Sequence, residues 1–199
     1  MASFSRRTKI VIAFVIVIMA GYGLVLFWQS QNKVPTAFIN ARSQGAIIAE
    51  NIVTVSNQST VTLEQVNQDD INGNYKNALT LVSGMITQSE DLRNQAVQLS
   101  NQIQQMTESL SSINSVEEQQ AALEAISSHL ALINQLINYS GDLGNLLNTL
   151  QAHFEGAPPT GQNIPALVNQ INTDVAAINN FNNQATQAMQ QFDKLTSGA

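Results

Sequence analysis

No cysteine occurs in the 199 residues. That absence excludes a disulfide framework, a thiolate metal site, a thiol nucleophile and a lipidated N-terminal cysteine, so packing alone must hold the fold. Charge is scarce as well, at 11% of residues, whereas Asn and Gln number 22 each. Neutral amides therefore carry the polar faces, a composition opposite to the ion-pair networks of hyperthermophile proteins. Basic residues are few beyond the N-terminus. From Val34 onward only Arg42, Lys76, Arg93 and Lys194 stand against all 14 acidic residues, which gives that part a charge near −10. Such a surface repels phosphate backbones and anionic lipid, and it carries no basic stripe for nucleic acid.

Motifs for chemistry are missing too. His129 and His153 are the only histidines, and neither lies in an HExxH sequence or beside a carboxylate at i,i+4 spacing; no metal or other cofactor is expected. Asp69-Asp70-Ile71-Asn72-Gly73 has a calcium-loop flavour, but Gln68 would stand at the first ligand position and Leu79 at the twelfth, so a capped turn is expected there. Glu90-Asp91 and Glu117-Glu118 are sequence neighbours that point about 100° apart on a helix and cannot act as paired acids. With no GxSxG, no phosphate-binding glycine loop and no SxxK, the chain is expected not to be an enzyme.

What is present begins with one apolar run. Residues 10–28 contain no charge, and 19 residues at 1.5 Å each nearly cross a hydrocarbon core of about 30 Å. Gly21-Tyr22-Gly23 is the one candidate signal-peptidase site, and Leu24-Val25-Leu26-Phe27-Trp28 continues the run past it, so an uncleaved anchor is expected. Arg6, Arg7 and Lys9 place the N-terminus in the cytoplasm, and Trp28 suits the far interface. The expected organisation is a cytoplasmic leader over 1–9, a transmembrane helix over 10–28, a linker over 29–36 and an extracytoplasmic domain over 37–199.

In that domain apolar residues recur at alternating spacings of three and four, the mark of packed helices. One seam runs Ala78, Val82, Met85, Ser89, Leu92, Ala96, Leu99, Ile103, Met106, Leu110 and Ile113 without a slip. An earlier seam runs Ala41, Gly45, Ile48, Ile52, Val55, Ser59, Thr62 and Val66. A third takes in Val116, Leu123, Ile126, Leu130, Ile133 and Ile137, and a fourth Ile164, Val168, Ile171, Val175, Ile178, Ala185, Met189 and Phe192. Thr36 can cap the first helix, Gly73 ends it, Asn74 can cap the second, Ser115 with Glu118 forms a capping box for the third, and Pro165 falls in the first turn of the fourth. The fold expected is all-α: an antiparallel up-down-up-down four-helix bundle, roughly 45–60 Å long, behind an N-terminal transmembrane helix. Phe38, Ile113, Val116 and Leu195 should share its membrane-proximal core layer.

Small polar residues interrupt these seams at one depth. Ser59, Thr62, Ser89, Ser140 and Asn172, with Gly144, fall about 12–24 Å below the far tip, where they can line a small polar cavity or let helices approach. In helix number, length and amide-rich faces, residues 36–197 resemble the extracytoplasmic sensor domain of bacterial chemoreceptors, which implies a ligand-sensing role. One N-terminal span before a bundle also resembles LemA-type proteins, although Ala41-Arg42-Ser43-Gln44 does not match that family's tryptophan-centred motif. Gly73-Asn74-Tyr75-Lys76-Asn77-Ala78-Leu79 looks like half of a single tetratricopeptide repeat. The function expected first is a membrane-tethered structural or interaction module with an envelope protein partner, compatible with a homo-oligomer. It would present an apolar or amide-rich strip beyond what the bundle buries. A small-molecule-sensing ectodomain is the second expectation.

Overall fold

The computed structural model describes residues 34–157 and 163–197. Among them are four long helices and no strand: α1 (Thr36–Ile71), α2 (Tyr75–Ser109), α3 (Val116–Phe154) and α4 (Ile164–Ser197), with a 3₁₀ turn at Leu110–Ser112 between α2 and α3. No helix among the described residues is long and apolar enough to cross a membrane. The expected span over 10–28 lies outside the described residues.

The helix ends follow local chemistry. Ser115 Oγ accepts the Glu118 N–H at 3.3 Å, as a capping box requires, and its hydroxyl donates to Glu117 Oε2 at 3.0 Å. Glu117 is thereby held below the usual carboxylate range, by the backbone amide first and the hydroxyl second. Gly73 and Gly156 close α1 and α3 at φ +72° and +70°, a conformation in which a Cβ would be strained. Two expected caps do not form. Pro35, not Thr36, occupies the N-cap of α1, and Asn74 at the N-cap of α2 makes no side-chain cap bond. Asn74 Nδ2 reaches Asp69 Oδ1 instead, at 3.5 Å, while Asn77 Nδ2 donates to Asp69 Oδ2 at 2.6 Å. With Gln65 Nε2 of α1 also reaching Oδ2 at 3.5 Å, amides from both sides of the turn satisfy the buried Asp69 carboxylate.

Side-chain contacts join each helix to the next and the first to the last. A Cβ on Gly45 of α1 would meet Leu99 of α2 at 3.3 Å. Tyr75 at the start of α2 stacks on Phe154 at the end of α3, ring centroids 6.0 Å apart. Gln135 of α3 bonds Asp174 of α4. Arg42 of α1 grips Asp193 of α4 through two nitrogens at 2.6 and 2.8 Å, next to Phe38 and Phe192, whose rings lie 5.2 Å apart.

The α2 seam is buried as its spacing demands, from Ala78 to Met106 and on to Ile113, with Leu110 half-buried. The α1 and α4 seams hold as well, apart from half-buried Ile48, Val55, Thr62, Ile164 and Val175. The α3 seam is different. Ile126 and Ile133 are buried, but Val116, Leu123 and Leu130 are 70%, 53% and 42% exposed. The buried face of α3 is made by Ala121, Ala122, Ala125, Leu132, Leu136 and Leu143 and their neighbours. In the layer beside the N-terminus of α1, Phe38 and Ile113 are buried as expected, whereas Val116 and Leu195 face solvent and Phe192 fills the place expected of Leu195. The reason is helical phase: Phe192 lies one turn after Ala188 and two after Ala185, and Leu195 three residues later has rotated to the rim.

Candidate functional site

The small polar residues form one true cross-helix contact. Ser89 Oγ of α2 donates to the Ser140 carbonyl of α3 at 2.8 Å, and a Cβ on Gly144, one turn further on, would lie 3.7 Å from that same Oγ. Ser140 Oγ turns back to Ile137 O at 3.2 Å. Ser59 donates to Val55 O at 3.0 Å and Thr62 to Gln58 O at 2.9 Å, so both hydroxyls serve their own helix. Ser59 is buried; Thr62 and Asn172 are half-buried. Of the five candidate residues, hydrogen bonding therefore joins Ser89 and Ser140. Beside them, Gln88 Oε1 is buried without a donor.

A buried acid is the feature that sequence reasoning passed over. Asp174 of α4 is 2% exposed. Its Oδ1 accepts Gln135 Nε2 at 2.8 Å and Gln170 Nε2 at 3.1 Å, while Oδ2 is buried with no partner. The Asp142 carboxyl lies beside it, and two carboxyls can bond only when one carries a proton. Burial first and Asp142 second push the Asp174 acid up to about 6. Tyr139, buried nearby, is pushed up to about 12 by burial and then by the Asp174 charge. The signal was present in the spacing: Asp174 sits three residues after Ile171 and four before Ile178, on the seam itself, where Val175 was expected.

The histidines are apart. His129 Nδ1 lies 2.7 Å from Ala125 O, and burial lowers the affinity of the ring for a proton, with the Arg42 charge acting in the same direction. His153 Nε2 lies 3.8 Å from Asp70 Oδ1 at the opposite end of the bundle. Among the described residues no group of three or more His, Cys, Asp or Glu side chains is placed to hold a metal ion.

The third feature is the exposed stripe on α3. Val116, Leu123 and Leu130 recur every seven residues, and half-buried Ile137 continues the series. Between them, about 40° round the helix, lie exposed Gln120, Ser127 and Asn134. The result is a second heptad seam on the back of a helix whose front is already packed. From Val116 to Ile137 it runs roughly 30 Å. The Ser89–Ser140 contact sets the register of α2 against α3 and puts Val97, 48% exposed, level with about residue 132, near Leu130.

No family model, curated protein or solved structure matches the chain. The likeness to chemoreceptor sensor domains and LemA-type proteins therefore stands on helix number and length alone.

Proposed function

We propose that this chain is a non-enzymatic, membrane-tethered helical bundle that docks a protein partner in the cell envelope through α3. In this reading the four helices run up-down-up-down, residues 10–28 form the anchor, residues 1–9 face the cytoplasm and residues 37–199 stand outside it. The observation that carries the reading is the stripe Val116, Leu123 and Leu130, exposed at heptad spacing on a helix that buries a complete second face. Isolated exposed leucines are ordinary, but an apolar row that keeps one helical phase over three turns and more is what a partner helix packs against. The test is photocrosslinking in intact cells from position 123, with exposed position 61 on α1 as control. A discrete adduct from position 123 alone is expected; adducts at neither position would refute the docking face. The anchor is tested separately. The full chain should stay with membranes in alkaline carbonate and be digested by protease added from outside, and a chain that washes off has no span.

One observation favours a second reading, a small-molecule-binding ectodomain. Gln88 Oε1 is a buried acceptor without a donor, and an unsatisfied group of that kind is what a ligand completes. Thermal-shift screening against amino acids and small cations decides it, since a ligand at 100 times its dissociation constant stabilises by about 2.7 kcal/mol. A flat screen removes the sensing role and leaves the docking role untouched.

A further inference from the structure

The α3 stripe is bordered by charge of one sign. Glu117 and Glu124 each follow a stripe residue by one position and so lie about 100° further round α3, beyond Gln120 and Ser127. Both are exposed. On the other border, the α2–α3 register puts exposed Glu108 of α2 level with about residue 121, beside Leu123. Three carboxylates thus surround the Val116–Leu123 half of the stripe. Among the described residues α3 contains no Lys or Arg, and the sequence has none between Arg93 and Lys194. Arg93 itself lies four turns of α2 from Glu108, toward the Ile137 end. In helix pairing, apolar seam residues supply adhesion, while charges flanking the seam select the partner. A second copy of this chain docked in parallel would set Glu against Glu over the Val116–Leu123 half of the seam.

Resting on the reading of this stripe as a docking face, we infer that its occupant is an amphipathic helix of about three heptads from another protein, apolar along one seam and flanked by Lys and Arg. Opposite charge along the borders speeds encounter and rejects acidic helices, self-pairing included. The attraction weakens as salt shortens the Debye length, because every carboxylate involved is exposed.

The experiment uses the full chain in neutral phosphatidylcholine nanodiscs and two labelled synthetic helices with the same Leu/Ile seam, one flanked by Lys and Arg and one by Glu. Empty nanodiscs correct for lipid binding. Anisotropy should show the basic peptide binding at least tenfold more tightly than the acidic one, and the gap should narrow between 50 and 500 mM salt. Leu123→Gln with Leu130→Gln, which alters no charge, should weaken the basic peptide at least tenfold, while Val61→Gln on α1 leaves it unchanged. Glu108→Gln with Glu124→Gln should reduce the preference for the basic peptide and spare the seam contact. Equal binding of both peptides overturns the inference, as does basic-peptide binding that ignores the Leu123/Leu130 pair. So does a dimer of the full chain that this pair of substitutions dissolves. A crosslink from position 123 in cells together with no charge preference in the peptides would keep the docking face and discard the basic helix; no crosslink discards both.

Discussion

Asp174 controls how stability follows pH. Burial first and Asp142 second push its carboxyl up to about 6 in the fold, above the ordinary carboxylate range of the unfolded chain, so the folded protein binds a proton that the unfolded chain releases earlier. The fold gains from that protonated acid in full below pH 4 and loses the gain as pH rises through 6. Two pH units of difference correspond to about 2–3 kcal/mol. Asp174→Asn keeps the amide contacts to Gln135 and Gln170 within reach and removes the titration. Thermal unfolding of the two proteins should therefore nearly coincide at pH 4 and diverge by pH 7.5, with the Asn variant more stable. Parallel curves across that range would mean that the fold does not raise the Asp174 acid. The residue itself was visible in the sequence as an acid in phase with Ile171 and Ile178. What the sequence could not disclose was that Asp142, 32 positions earlier, meets it from α3. The seam hydroxyls show the reverse: Ser59, Thr62, Ser89 and Ser140 stood out as seam breaks, yet only the structure separates the cross-helix bond of Ser89 from the back-bonds of Ser59 and Thr62.

At the level of elements, α2 and α3 differ in how far pattern dictates burial. On α2 the seam from Ala78 to Met106 is apolar at every position but Ser89 and the residues off it are mostly polar, so only one face can be buried and the assignment follows directly. On α3 the sequence has apolar residues in several phases at once, and periodicity alone does not say which go inward. The alanines decide it: Ala121, Ala122 and Ala125 let neighbouring helices close in on that side, leaving Leu123 and Leu130 on the back. This division makes a direct prediction about stability. Ile126→Ala, at a site 2% exposed, should cost about 2–5 kcal/mol. Leu123→Gln and Leu130→Gln should each stay within about 0.5 kcal/mol of the parent, as surface changes do. Urea unfolding measures all three, and a Leu123→Gln cost like that of Ile126→Ala would return the stripe to the core and withdraw it as a docking face.

For the molecule as a whole, the end bearing the start of α1 combines three things: the residues that follow the apolar run, the closing contacts between the first and last helices, and the acidic half of the α3 stripe. The seams put Phe38 of α1 and the end of α4 in one core layer there. They did not predict the means, since Leu195 was expected where Phe192 stands and the Arg42–Asp193 pair lies 151 positions apart. The two closing contacts are unequal. Phe192 is 1% exposed and packs on Phe38, so Phe192→Ala should cost about 3–5 kcal/mol. The Arg42–Asp193 pair is partly exposed, at 19% and 25%, and solvent screening limits Asp193→Asn to about 1 kcal/mol. Hydrogen exchange should resolve where these losses fall: amides from 188 to 197 lose protection in Phe192→Ala before those near Gly73 and Tyr75 do, because the far turn is held independently by Asp69 and its amides. Uniform loss at both ends would show that the helices open as one unit. In that case the α3 stripe next to Phe38 and Phe192 would be only as ordered as the bundle entire, and a partner docked on it would protect the far turn as much as the near one.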